Sequence, residues 1–444
     1  MFENRRKTSW SSAATIRPLK PFLADQRGSF SVIFALTIIP ILIATGMAID
    51  YSTAGRNKSK LNAVADAAAL AAVTPSMMSQ SNAAATTAAT NMFNSQAANV
   101  SGIAYSPANL SVLVTSTNGG LTRNVTVNYS AASKAYFTNF LGWQTIPFSG
   151  SSQASATAAP NIDFYLLLDS SPSMAIAATT SGINTMVSNT QQQGGCAFAC
   201  HESNPQADNL GNPGGEDNYA LARNLNVTLR MDLVQQAAAN LMSTAQTTEQ
   251  ANNATYRMSI NTFDVSFHQI APLTANLGMA KSQANNIQLL EVYSNNCLTQ
   301  SNCNNDTDTN YDNAMNSINV MMPNPGKGTN QKGDSPQEVM MFVTDGVEDE
   351  MVNGSRQQSL MSTSWCTTIK NRGIRIAVLY TTYLPLPTNS WYNTYIAPFQ
   401  PQIASNMQSC ASPGLYFQVT TDGDISAAMG QLFQQAVATA HLTH

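Results

Sequence analysis

Charge is what this sequence has least of. Only 10% of its 444 residues are Asp, Glu, Lys or Arg, against about a quarter in an average soluble domain. The net charge is −4, which excludes the basic surface that a nucleic-acid binder uses to neutralise phosphates. Histidine is scarce as well, with four residues at positions 201, 268, 441 and 444. There is no HExxH, no GxSxG and no phosphate-binding loop, so an enzyme is not expected. A metal-dependent hydrolase built on Asp169 or Asp345 would need more carboxylates placed together. Asn, Gln, Ser and Thr supply the polar surface instead. Hydrophobic residues make up an ordinary 43%, so the chain folds, and its length calls for more than one domain.

What charge there is sits unevenly. Residues 1–27 hold six basic and two acidic groups, a net of +4, which leaves −8 for the rest of the chain. Residues 28–49 follow as 22 uncharged positions, GSFSVIFALTIIPILIATGMAI. As a helix this run spans about 33 Å, enough to cross a bilayer core. It is longer than a signal-peptide core, and no small-x-small cleavage site follows at once, so a retained anchor is expected. The basic cluster before it predicts a cytoplasmic N-terminus with the bulk outside, although Arg56, Lys58 and Lys60 weaken that asymmetry. Pro40 would kink the helix, which membrane spans tolerate.

Beyond Asp50 the pattern DYSTAGRNKSKLNAVADAAALAAV predicts a continued helix with a small apolar face through Leu61, Val64, Ala65, Ala68, Leu70 and Ala72. Residues 110–115 and 121–129 read as strands. Residues 135–148 are rich in aromatics, with Tyr136, Phe137, Phe140 and Trp143. Residues 150–160, GSSQASATAAP, read as a linker.

The strongest chemical signal begins at Ile162. IDFYLLLDSSPSM is an apolar run ending in Asp169, Ser171 and Ser173. Such a run fits a buried parallel strand, and open α/β sheets bind ligands beyond the carboxyl ends of their strands. One carboxylate and two hydroxyls form a hard oxygen site suited to Mg²⁺ or Mn²⁺. A second apolar run, residues 338–344, ends in Asp345-Gly346. DTDTNYDNAM offers Thr309, or Thr307 in its place, before a helical pattern. Further strands are expected at 257–264 and 267–274 as a hairpin-like pair, and at 374–380 and 415–419. Helices are expected at 231–245, 275–290, 359–370, 393–407 and 425–440. Alternation of this kind implies an α/β, doubly wound, mostly parallel sheet.

The set resembles the von Willebrand factor A domain and its metal-ion-dependent adhesion site. That resemblance implies metal ligation by Asp169, Ser171, Ser173, Thr309 and Asp345. The ion would be Mg²⁺ (or Mn²⁺ or Ca²⁺), with a position left open for a partner's Asp or Glu. In most such domains a helix follows the DxSxS at once. Here an insertion over about 175–230 intervenes, carrying CAFACH. It either covers the site, meets a partner or is a solvated loop.

The six cysteines, Cys196, Cys200, Cys297, Cys303, Cys366 and Cys410, all follow the apolar segment. An even count outside the membrane fits disulfides, and spacing favours local bridges within 196/200 and 297/303, leaving 366 with 410. Zinc at Cys196, Cys200 and His201 is the rival reading, and it lacks a fourth ligand.

The RGSFSVIFAL anchor, the NKSKLNAVADAAALAA helix and the A domain together resemble the TadG group of Tad/Flp pilus-assembly proteins. The expected organisation is a basic cytoplasmic segment (1–27), a transmembrane and extended helix (28–75), a small α+β pilin-like region (76–150), a linker (151–160) and a von Willebrand A-like domain (161–444). The resemblance implies a single-pass protein of the bacterial inner membrane with its bulk in the periplasm. Its partners would be other pilus-assembly or pilin proteins, engaged through an acidic residue. Processed pilins carry Glu five residues past the cleavage site; here that region is uncharged, so the anchor is expected to be kept. A surface adhesin unrelated to pili would share every residue-level feature.

Overall fold

An uncharged run that continues into an Ala-rich segment has nothing to stop a helix, and none stops before residue 71. The computed structural model describes residues 29–207, 211–293, 308–331, 333–383, 385, 390–420 and 422–439. It opens with one helix, Ser29–Ala71, of 43 residues, with Pro40 inside. The Thr37 and Thr45 hydroxyls donate to the carbonyls of Ile33 and Ile41, both at 2.9 Å, so these two hydroxyl hydrogens are satisfied within the apolar stretch. Among the described residues this is the one helix long and apolar enough to cross a membrane.

The strands, in chain order, are β1 (Ile103–Ala104), β2 (Leu110–Thr117), β3 (Thr122–Lys134), β4 (Thr145–Thr157), β5 (Ile162–Asp169), β6 (Tyr256–Phe263), β7 (Phe267–Thr274), β8 (Gln337–Thr344), β9 (Val347–Val352), β10 (Ser355–Leu360), β11 (Arg375–Thr381) and β12 (Tyr416–Val419). The chain divides into two compact units. One holds residues up to 69 with 89–112 and 126–153, and the other holds 70–88, 113–125 and 154 onward.

In the first unit the continued helix buries Leu61, Val64, Ala65 and Ala68, with Phe93, Val127 and Tyr129 also buried. Phe93 meets Tyr105 and Tyr129, each with ring centroids 5.4 Å apart. Tyr129 donates to Asn62 Oδ1 at 2.7 Å, and Ser152 donates to Asp66 Oδ1 at 2.6 Å. Residues 150–157, expected to be a linker, instead continue β4, which pairs with β3. Their small side chains mark a close approach: a Cβ on Gly150 would lie 2.6 Å from the Tyr129 ring.

The second unit is built on a six-stranded sheet in the order β12-β11-β8-β5-β6-β7. Only β7 is antiparallel, paired with β6 as a hairpin-like neighbour. The expected mostly parallel, doubly wound sheet is thus what the chain forms. Both faces of β5 are covered. Ile162, Phe164, Leu166 and Leu168 enter one core with the helices Arg230–Asn252, Leu277–Ala284 and Ile425–Thr439. Tyr165 and Leu167 enter the other, with the helices Tyr311–Met321, Ser364–Asn371 and Gln400–Cys410. Burial on both faces explains why β5 reads as a continuous apolar run.

Three elements depart from expectation. The helix expected over 393–407 is two helices, Ser390–Tyr395 and Gln400–Cys410, because Pro398 cannot continue the first and Pro401 sits at the start of the second. The helix expected from 359 begins at Ser364, since 355–360 forms β10, the return strand of a polar hairpin with β9. Its turn is Asn353-Gly354, both at positive φ, the pair that a tight hairpin favours. The insertion is no solvated loop: Ile176, Ile183, Met186, Ala199, Ala222 and Leu229 all join the first core.

At the amino end of the parallel strands, Asp163 of β5 lies in register with Glu338 of β8. Asp163 is paired with Arg257, whose Nε donates at 2.7 Å. Both Glu338 carboxyl oxygens are buried without a hydrogen-bond partner. Burial, with Asp163 alongside, pushes this carboxyl up to about 8. The folded chain therefore holds a proton that the unfolded chain, at an ordinary 4.5, has released. The resulting stability is whole below that lower value, falls as pH rises and is gone above about 8. Glu338→Gln should remove this dependence, so its stability advantage over the native chain should grow from pH 5 to pH 9 in denaturant titrations; a constant difference would refute it. Cys366 and Cys410 form a disulfide that closes a 44-residue separation. By chain entropy, Cys366→Ser with Cys410→Ser should cost about 2–4 kcal/mol, read as a lower urea midpoint for this unit.

Candidate metal centre

The topology reverses direction at β5, which lies between β8 and β6, and such a reversal opens a crevice at the carboxyl ends of the strands. Asp169 is the last residue of β5, and Asp345 follows the last residue of β8. Neighbouring strands thus bring two carboxylates, 176 positions apart in sequence, to one edge. Both are fully buried.

Asp169 Oδ1 accepts from the Ser171 backbone N–H at 3.0 Å and the Ser171 hydroxyl at 2.5 Å. Ser171 precedes a single 3-10 turn, Pro172–Ala175, and that turn brings the Ser173 hydroxyl to 2.9 Å from Ser171 Oγ. Ser173 also favours the charged form of the Asp345 carboxylate. Thr309 is buried, and its backbone is fixed by paired hydrogen bonds with Asp349 at 3.0 and 3.1 Å. This tethers the segment before helix Tyr311–Met321 to the hairpin that follows Asp345. Among the described residues the Thr309 hydroxyl bonds to none of the other four. Gly346 has φ of 79°, a turn that glycine makes without strain.

The electrostatics are those of an under-compensated pair. Burial, then the Asp345 charge, pushes Asp169 well above the usual carboxylate range; burial alone raises Asp345 despite Ser173 and Arg230. Asp345 Oδ2 is buried with no hydrogen-bond partner. Two carboxylates, one with an orphan oxygen, beside two serine hydroxyls, make a donor set that fits a small hard cation.

Three supporting residues had no place in the sequence expectation. Thr344 donates to Asp169 Oδ2 at 2.7 Å, and the Tyr311 hydroxyl lies 2.5 Å from Thr344 Oγ1. The Gly346 N–H donates to the same Thr344 oxygen at 2.9 Å. Arg230, buried, lowers the cost of charge on Asp345 and donates to the Thr382 carbonyl at 2.7 Å. Thr344 stands inside the Thr-Asp-Gly run; Tyr311 and Arg230 carried no local signal.

The cysteine-bearing insertion differs from its expected chemistry. Cys196 and Cys200 carry free thiols in this structure rather than a local bridge. Their interaction with each other holds Cys196 below and Cys200 above the ordinary thiol range. His201 Nδ1 turns instead to Asp217 at 2.9 Å. Among the described residues no group of three or more His, Cys, Asp or Glu side chains converges as a metal cluster. Cys297, Cys303 and Thr307 lie outside the described residues.

With the geometry in view, residues 28–89 match the Tad family model, described as Flp pilus-assembly TadE/G-like. No curated protein matches the chain. Solved structures similar to it include BatB from Bacteroides thetaiotaomicron, at 14% identity over 63% of this chain and 100% of that one, with a TM-score of 0.32. The von Willebrand domain of a type V pilus tip protein from Porphyromonas gingivalis is 8% identical over 63% and 97%, with a TM-score of 0.36. A proximal thread matrix protein of the mussel byssus, solved with a zinc-occupied adhesion-site motif, is 12% identical over 63% and 46%, with a TM-score of 0.32. Scores at this level add nothing to the strand order and site geometry, on which the fold assignment rests.

Thr344→Val strips Asp169 of a donor and leaves the Tyr311 hydroxyl and Gly346 N–H without their acceptor. It should cost about 2–4 kcal/mol, whereas Tyr311→Phe, which removes one bond and its donor together, should cost about 1 kcal/mol. Equal losses in urea unfolding would mean that Thr344 does not join the two.

Proposed function

We propose that this protein is a membrane-anchored, non-enzymatic component of Tad/Flp pilus assembly that grips a protein partner through a metal ion. The observation that carries the metal reading is the buried pair Asp169 and Asp345 with its orphan oxygen and flanking hydroxyls. Asp169, Ser171, Ser173, Thr309 and Asp345 would hold Mg²⁺, or Mn²⁺ or Ca²⁺, through oxygen donors or intervening waters. The ion would supply a Lewis-acidic coordination position, and an Asp or Glu of a pilin or another assembly protein is the group suited to fill it.

The pilus context is supported by the TadE/G-like match over residues 28–89. The long apolar helix supports a single-pass anchor, and the basic residues before it support a cytoplasmic N-terminus in a bacterial inner membrane with the bulk periplasmic. In such an oxidising compartment the Cys366–Cys410 disulfide is stable.

Calorimetry on the full chain in detergent micelles tests the metal. Native protein should bind one Mg²⁺ or Mn²⁺, and Asp169→Ala should weaken binding at least about tenfold, or about 1.4 kcal/mol. Equal binding by both, or by neither, would remove the site. Asp169→Ala should also abolish cross-linking to pilus components in cells; unchanged assembly would leave the A-like domain a metal-independent scaffold.

A further inference from the structure

The anchor helix carries a second apolar element beside it. Most of residues 30–49 are exposed, but Gly46 and Asp50, one turn apart on a single face, are buried. What covers them is the segment 136–143, YFTNFLGW. Asp50 Oδ1 accepts the Tyr136 N–H at 3.0 Å, and Oδ2 accepts the Phe137 and Thr138 N–H groups at 2.9 and 2.7 Å and the Thr138 hydroxyl at 2.9 Å. One turn deeper, a Cβ on Gly46 would stand 2.7 Å from the Phe137 Cβ, so only glycine admits this contact. The carboxylate therefore serves as a clamp: it satisfies three backbone donors of a tight segment and pins that segment to the end of the apolar run.

The clamped segment turns its large side chains outward. Phe140 is 89% exposed, Tyr136 69% and Trp143 62%, with Phe137 and Leu141 exposed as well. None of the eight residues is charged. Beside them an apolar groove of about 690 Å³ is lined by Met47, Tyr51, Thr138, Trp143, Ile146 and Pro147. The helix then presents Arg56, Lys58 and Lys60, all exposed. Gly46 lies about 6 Å along the helix inside Asp50. The order outward from the bilayer core is therefore apolar helix, aromatic segment, basic residues. Trp and Tyr concentrate in the headgroup layer, and Lys and Arg just beyond it pair with anionic lipid phosphates.

We propose that residues 136–143 form a second membrane contact, seated in the headgroup layer of an anionic phospholipid bilayer and clamped to the anchor helix by Asp50. The occupant of the groove is an acyl chain edge rather than a protein, because the exposed aromatics adjoin the apolar span and the exposed charges that follow on the helix, Arg56, Lys58 and Lys60, are all basic. This reading rests on the helix spanning the membrane, and it gives Arg56, Lys58 and Lys60 a role as phosphate contacts that the charge-asymmetry rule alone does not.

The test uses the full chain in phosphatidylcholine–phosphatidylglycerol vesicles. Trp10→Phe, Trp365→Phe and Trp391→Phe leave Trp143 as the sole reporter. Lipids brominated near the headgroup end of the acyl chain should quench most of its emission, and lipids brominated near the bilayer centre much less. In a second variant, Trp143→Phe with Leu36→Trp on the same background, the centre-brominated lipids should quench the anchor. If the anchor is quenched and Trp143 is not, the segment faces water or a protein and the proposal is overturned while the anchor stands. If Trp143 is quenched best from the centre, the headgroup placement is overturned. If neither is quenched, the anchor reading fails and this one with it.

Discussion

Two carboxyl groups held out of water on adjacent strand ends set the chemistry of the larger unit. Asp169 and Asp345 are buried where β5 and β8 finish, and a buried carboxylate pair is strongly unfavourable unless protonated, hydrogen-bonded or paired with a cation. The surroundings address this in part. Ser171 and Thr344 donate to Asp169, while Ser173 and the positive charge of Arg230 favour the charged form of Asp345. One oxygen of Asp345 remains without a donor. Asp169 and Asp345 would hold a divalent cation whose charge offsets both carboxylates, which is the physical basis of the metal site proposed above.

The elements that shape this edge were legible to different degrees. The runs ending in Asp169 and Asp345 could be read because a strand buried on both faces has no polar alternation, and because a ligand edge is where such a run turns polar. Tyr311 and Arg230 could not be read. Their roles depend on proximity across the fold, and a hydroxyl or guanidinium that supports another side chain leaves no periodic trace. The β9–β10 hairpin hid for a different reason. Its strands, VEDEMV and SRQQSL, lack an apolar face, so only Asn353-Gly354 announced it. Small polar residues misled in the opposite direction at 150–157, where the chain is paired strand rather than loose linker, and closeness to the Tyr129 ring selects glycine at 150.

The insertion shows how far composition can mislead about packing. Its Gly- and Asn-rich stretches frame short helices, Thr180–Asn189 and Asn218–Asn224, whose apolar residues complete the first core. Asp217 ties the segment together: it caps the second helix through Ala220, accepts the Glu202 N–H and holds His201. One imidazole nitrogen, Nδ1, is thereby fixed by the same carboxylate that caps the helix.

The same two strands carry a second acidic pair at their other ends, and the contrast between the poles is informative. At the amino ends Asp163 meets a cation supplied by the chain itself, the Arg257 guanidinium on β6, and Glu338 is left to keep a proton. That arrangement combines one ion pair with one acid driven toward its neutral form, both of whose oxygens are buried without a hydrogen-bond partner. At the carboxyl ends, among the described residues, the side-chain donors to Asp169 are the hydroxyls of Ser171 and Thr344. Hydroxyls can stabilise a carboxylate, but unlike a guanidinium they can also turn a lone pair toward a metal. The chain enters β5 at the Asp163 pole, seven residue steps, or about 23 Å, from Asp169. The two poles of one strand pair thus settle their acids differently, by a guanidinium and a proton at one end and by hydroxyl donors at the other.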